Sequence, residues 1–137
     1  MISYQETLDG ITPERLTGFF EGWPTPPSAE QHLRIMNGSE AVVIAVDPEA
    51  LGRVVGFVTA VGDGVLAAYV PLLEVLPEYQ GRGIASELVR RLLARLNERY
   101  MIDLVCDEAL VPFYERLGMT RFTAMVIRRP EALERVP

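Results

Sequence analysis

The sequence has one cysteine, Cys106, and one histidine, His32, among its 137 residues. A lone cysteine excludes an internal disulfide. One Cys with one His cannot build a Cys/His metal centre, so no metal is expected. Positive charge is also scarce: 13 basic residues stand against 19 acidic ones, a formal net charge of −6. Gripping nucleic acid by its phosphates requires an excess of basic side chains on one face, so no nucleic-acid partner is expected. An acidic surface favours cationic ligands such as amines. No apolar run approaches the roughly 20 residues that cross a bilayer. The opening segment MISYQETLDG has neither the basic nor the apolar region of a secretory leader. These absences give the expectation of a cytoplasmic chain with no membrane partner.

What is present is apolar. Hydrophobic residues make up 49% of the chain, and its mean hydropathy is +0.16. This length suits a single domain over residues 1–137, large enough to bury a core. A well-filled core is one outlet for the surplus apolar surface, and a homodimer contact is another.

The residue pattern predicts the order β-α-α-β-β-β-α-β-α-β. Ile2 to Gln5 reads as an edge strand. Thr12-Pro13 opens a first helix that carries Leu16, Phe19 and Phe20 inward and stops near Gly22. A loop with three prolines, Trp23 to Pro27, leads to Ser28, which caps a second helix over Ala29 to Met36, closed by Asn37-Gly38. Three strands follow: Ala41 to Val46, Val54 to Val61 and Val65 to Leu76. The last two are joined by the hairpin turn Gly62-Asp63-Gly64. Pro71 inside the third requires an edge position or a bulge. Ile84 to Glu98 is the clearest helix, with Ile84, Leu88, Leu92 and Leu96 four residues apart. Met101 to Cys106 reads as a strand, Glu108 to Leu117 as a helix and Thr123 to Ile127 as a final strand. The composite is a mixed α/β sheet with helices on both faces.

The segment Gln80-Gly81-Arg82-Gly83-Ile84-Ala85 joins a strand to the best helix. Its glycines let backbone pass close to a ligand, and the free N–H groups of the helix's first turn form an anion site. Arg82 adds charge and Ser86 a hydroxyl. Read from the glycines alone, the segment fits either a pyrophosphate cradle or a plain capped turn.

The segment resembles the Q/R-x-x-G-x-G/A signature of the GNAT superfamily, the acetyl-CoA-dependent N-acetyltransferases, with Leu76-Pro77-Glu78-Tyr79 leading into it. Phe113-Tyr114-Glu115-Arg116-Leu117-Gly118-Met119 resembles the FYEKLGF ending of those domains. The likeness covers Glu40 to Ile127; the first forty residues match only in element order. It extends to a subgroup of small bacterial proteins of unassigned substrate.

This resemblance implies a central, mostly antiparallel sheet and the transfer of an acetyl group from acetyl-CoA to a primary amine by direct attack in a ternary complex. The acceptor would be a small molecule or a protein. The backbone of Gln80, Gly81, Arg82, Gly83, Ile84 and Ala85, with Ser86, would hold the pyrophosphate. Val75 and Leu76 would pair with the pantetheine arm. Asp107 stands where many members carry an Asn that touches that arm. Tyr114 falls on the tyrosine that protonates the departing thiolate, a role suited to a phenol. A core aromatic beside Phe113 is its other reading.

Among the residues themselves, Glu74 is the one charge in Val65 to Leu76. It is the candidate base, with a solvent-facing or structural carboxylate as the alternative. Trp23 and Tyr69 are candidates for the acceptor pocket. His32 reads as a surface residue, Cys106 as a small buried apolar group and Arg128-Arg129 as a solvated terminus. A catalytically inactive acetyl-CoA-binding module and a plain interaction domain are the competing functional readings.

Overall fold

In the computed structural model, which describes residues 1–137, one sheet runs in the order β1 (Ser3–Gln5), β2 (Ala41–Asp47), β3 (Arg53–Gly62), β4 (Ala67–Val75) and β5 (Met101–Asp103). Neighbours from β1 to β4 pair antiparallel, while β5 runs parallel to β4. A parallel pair needs a crossover. The helix α2 (Ile84–Arg95) supplies it.

The continuous apolar run of β2 follows from its place in the sheet, because both of its faces are covered. Val43 and Ala45 turn to one face and join Leu88 and Leu92 of α2. Ile44 and Val46 turn to the other, meeting Phe57 of β3 and Met36 of α1 (Ala29–Asn37). Helices on both faces are thus observed. The start of α1 is fixed by a reciprocal cap: Gln31 N–H donates to Ser28 Oγ at 3.1 Å, and Ser28 N–H donates to Gln31 Oε1 at 2.9 Å. Such a cap stabilises a helix by about 1 kcal/mol.

The bulge that Pro71 demanded is present. Thr59 stands opposite Leu72 and Val61 opposite Tyr69, so the pairing slips across Val70 and Pro71 of β4. Proline has no N–H to give the ladder, and the strand accommodates it by leaving the register there.

Four local expectations are corrected. The helix expected from Thr12 is a single 3-10 turn, Pro13–Arg15. Beyond it Gly18, Phe20 and Gly22 have φ of 95°, 64° and 85°, a left-handed conformation that no right-handed helix accepts. Leu16 and Phe20 are buried all the same. The helix expected at Glu108 is a 3-10 turn, Glu108–Leu110, followed by α3 (Val111–Arg116), which carries Pro112 in its first turn. The strand expected at Thr123–Ile127 is absent: residues 119–129 have no regular structure. The sheet ends at Asp103 of β5, and no strand reaches those residues. Finally, His32 is 1% exposed rather than at the surface. Its ring packs on Phe57 (4.3 Å between centroids), Phe20 (4.9 Å) and Phe19 (5.4 Å), and neither nitrogen has a hydrogen-bond partner. Burial pushes its pKa down to about 4, so the imidazole is neutral at pH 7.

Candidate active site

The strands β4 and β5 form a fork. They pair only over Ala67↔Met101, Ala68↔Ile102 and Tyr69↔Asp103. Beyond Tyr69, β4 continues to Val75, still paired with β3 but with no strand on its other side. Parallel partners part here because β5 ends at Asp103 while the bulge at Val70-Pro71 re-aims β4.

At the far end of the fork the chain turns through Pro77–Tyr79 into the glycine loop. Gly81 and Gly83 adopt φ of 80° and 78°, and a Cβ built on either would meet no atom within 4 Å. The space above the loop is therefore open. Gly83 is the N-cap of α2 and provides no side-chain cap. The first return bond is Glu87 N–H to the Gly83 carbonyl at 3.1 Å. The N–H groups of Ile84, Ala85 and Ser86 thus lack intrahelical acceptors, at the positive end of the helix dipole. Open space over two glycines and three free donors suit a pyrophosphate.

The loop is clamped from three sides. Gln80 Nε2 donates to the Val75 carbonyl at 3.0 Å and pins the loop to the end of β4. The Tyr79 hydroxyl donates to Asp47 Oδ2 at 2.6 Å. That bond holds the Asp47 carboxyl below its ordinary range and raises the phenol. Arg53 pairs with Glu78 at 3.3 Å. Asp47 and Arg53 were not found by sequence reasoning, because they reach the loop from the distant strands β2 and β3. Arg82 is folded back: its guanidinium lies over the Tyr79 ring at 4.9 Å and donates to the Glu78 carbonyl at 3.2 Å.

Tyr114 of α3 is 9% exposed and lines a cleft of about 1170 Å³ with Tyr69, Asp103 and Cys106. Tyr69 and Asp103 are the last pair before the strands part; Tyr69 is the only β4 residue that lines this cleft, whose other walls are residues 100–106 and 117–128. Burial foremost, then the neighbouring Cys106, pushes the Tyr114 phenol up to about 12. Asp103, which ends β5 and lines the cleft, is a carboxylate that sequence reasoning passed over. Cys106 is half-buried rather than fully buried.

Glu74 lies elsewhere. It lines a second cavity of about 360 Å³ with Gly18, Glu21, Leu76 and Gln80, beside the glycine loop. The structure does not bring Glu74 and Tyr114 into one cavity. Burial raises the Glu74 pKa, against a lowering hydrogen bond from the Phe20 N–H. Trp23 packs edge-on against Phe20 at 5.1 Å and lines neither cavity. Asp107 is exposed, lines neither cavity, and its carbonyl accepts from Leu110 N–H at 2.9 Å.

Known proteins share this fold. The chain is 49% identical to a protein of Deinococcus radiodurans R1 classed with the acetyltransferases, whose crystal structure superposes with a TM-score of 0.93 over 99% of this chain and 94% of that one. It is 28% identical over 122 residues to the uncharacterized N-acetyltransferase ycf52-like of Prochlorococcus marinus, covering 88% of this chain and 67% of the relative. It is 35% identical over 97 residues to serotonin N-acetyltransferase 2, chloroplastic, of Oryza sativa subsp. japonica, covering 68% of this chain and 48% of the relative. The chain spans 59% of the length of the ycf52 N-acetyltransferase of Pyropia yezoensis. The model of the acetyltransferase (GNAT) family matches residues 8–119, a span that includes the glycine loop, the fork and Tyr114, and the chain belongs to that family.

Proposed function

We propose that the chain is an N-acetyltransferase that moves an acetyl group from acetyl-CoA to a primary amine by direct attack in a ternary complex. The observation that carries this reading is the uncapped start of α2 beneath the open space at Gly81 and Gly83, set at one end of a fork whose other end holds Tyr69 and Tyr114. When bound, acetyl-CoA supplies a thioester whose carbonyl carbon a neutral amine attacks. The amides from Gly81 to Ala85, with Ser86, hold the pyrophosphate. The free edge of β4 toward Val75 offers main-chain partners to an extended, amide-bearing arm, whereas the Leu76 N–H is already given to the Val55 carbonyl. Tyr114 keeps its proton at neutral pH and donates it to the departing sulfur, while the proton shed by the amine passes through water and restores the phenol. Tyr69 lines the acceptor side.

A primary-amine acceptor agrees with the rice relative, which is named for serotonin. The chain has no lysine, all 13 of its basic residues being arginine. It therefore offers no side-chain amine of its own, and an acetyl group appearing on lysine in an assay sits on the added acceptor.

A second reading, a non-catalytic acetyl-CoA-binding module, is favoured by one observation: Glu74, the candidate base, faces a cavity separate from that of Tyr114. Calorimetric titration with acetyl-CoA followed by thiol-release assays on a panel of amines tests both readings. Binding with thiol release on an amine supports the enzyme. Binding with no release on any amine supports the module. No binding at millimolar ligand overturns both.

A further inference from the structure

One group on the free edge of β4 is already engaged. Leu76 N–H donates to the Val55 carbonyl of β3 at 2.9 Å. The peptide joining Val75 to Leu76 is trans, and in a planar trans peptide the C=O points opposite to the N–H. The Val75 carbonyl therefore points away from β3, into the fork. No strand lies on that side, yet the carbonyl has a donor. The chain leaves β4, turns through Pro77–Tyr79 and returns, and the Gln80 carboxamide donates to the Val75 carbonyl at 3.0 Å.

A side-chain carboxamide and a main-chain amide are the same kind of donor. Gln80 thus stands where an N–H of an added strand, or of any extended amide-bearing ligand, would stand. Gln80 is exposed, and a hydrogen bond open to water contributes little net free energy because water replaces either partner. Such a bond holds while nothing competes and gives way to a donor anchored nearby. The glycine loop provides the anchor: its open space and the unpaired N–H groups at the start of α2 follow directly after Gln80.

We propose that Gln80 is a latch that holds the Val75 carbonyl until the amide-bearing arm of acetyl-CoA displaces it. The latch rests on the acetyl-transfer reading and adds to it a residue that competes with the donor. An arm that docks breaks the Gln80 bond as it makes its own, so the latch weakens donor affinity. It leaves the speed of docking alone, because an exposed side chain changes rotamer within picoseconds to nanoseconds. In return it covers an edge acceptor that is a template for another strand. Gln80 also lines the cavity of about 360 Å³ that holds Glu21 and Glu74. The carboxamide released by the donor therefore alters a wall of that cavity.

Calorimetry on the parent and on Gln80→Ala, each with acetyl-CoA and with ADP, tests the latch. ADP carries a pyrophosphate and no arm. Gln80→Ala should bind acetyl-CoA about two- to tenfold more tightly than the parent, the scale of one exposed hydrogen bond, and should bind ADP as the parent does. Acetyl-CoA affinity that is equal or weaker in the variant overturns the latch and leaves the acetyl-transfer reading standing. A gain shared by ADP also overturns it, because the change then lies in the loop. No acetyl-CoA binding by either protein overturns the reading and the latch with it. Nuclear magnetic resonance of the parent's side-chain amides needs no variant. With saturating acetyl-CoA the Gln80 carboxamide signals should move to those of a free side chain, and with ADP they should keep their bonded positions. Bonded positions retained under acetyl-CoA overturn the displacement.

Discussion

Glu74 Oε1 accepts a hydrogen bond from the backbone N–H of Phe20 at 3.0 Å, and Phe20 is one of only two non-glycine residues with a positive φ. The carboxylate thus anchors a strained turn whose ring closes the cage around His32. Glu74 thus has a structural role beside the proposed chemical one, and two substitutions separate them. Glu74→Gln keeps an oxygen for Phe20, so the melting temperature should hold. If Glu74 is the base, this variant should lose the acid limb of the pH–rate profile. Glu74→Ala leaves the Phe20 N–H without its partner and should destabilise the fold by about 1–3 kcal/mol. An identical acid limb in parent and Gln variant removes Glu74 from the chemistry.

Tyr114→Phe should lower kcat by about 10²-fold or more, the usual scale of a lost general acid, while leaving acetyl-CoA affinity in place. The phenol's pKa of about 12 means that it stays protonated across the working range. Its ionisation should therefore produce no alkaline limb below pH 10. Steady-state kinetics with calorimetry on the same variant checks this, and an unchanged kcat at saturation would remove the acid role.

Gly83→Val should abolish cofactor binding, because a branched side chain would occupy the space left over the loop. Strain at φ of 78° must be separated from lost binding, and Gly64 is the control. Gly64 has φ of 79° and is equally open, but it sits in the hairpin between β3 and β4. Gly64→Val should lose a similar stability, roughly 1–2 kcal/mol, with affinity intact. Equal affinities for the two variants would contradict the loop assignment.

Buried His32 links stability to acid. Its native pKa of about 4 lies below the ordinary 6.5, so between those values the unfolded chain binds the proton and the folded chain does not. Stability is full above pH 6.5 and falls as pH drops toward 4, by about 3 kcal/mol in all. Chemical denaturation at pH 7.5 and pH 4.5 should show this loss in the parent and a much smaller one in His32→Leu. Equal losses would place the acid sensitivity elsewhere.

What could be read from the sequence was whatever local chemistry decides. Ser28 as a cap, the four-residue spacing of Ile84 to Leu96, and Pro71 within a strand each act on their immediate neighbours, and each appears as expected. The glycine loop was legible for the same reason. What escaped depends on residues far apart in the chain. His32 lies on a helix that reads as polar, and only the distant Phe19, Phe20 and Phe57 bury it. The helix expected at Thr12 was defeated by three left-handed residues, one of them a phenylalanine that the Glu74 carboxylate holds in place. The strand expected at Thr123 has the right composition and lacks a partner, which composition does not report. The clamps Tyr79–Asp47 and Arg53–Glu78 join elements about 25 to 32 residues apart, beyond the reach of any local pattern.

The fork between β4 and β5 has a thermodynamic consequence. From Val70 to Val75 the sheet is missing a neighbour, so the empty protein lacks main-chain bonds that a complete sheet would have. A ligand whose own amides lie along that edge serves as the absent strand and raises the unfolding free energy by mass action, by about 2.7 kcal/mol at a hundred times its Kd. The supply of acetyl-CoA would then set how long each molecule survives as well as how fast it works, with the fold least secure when the donor runs short.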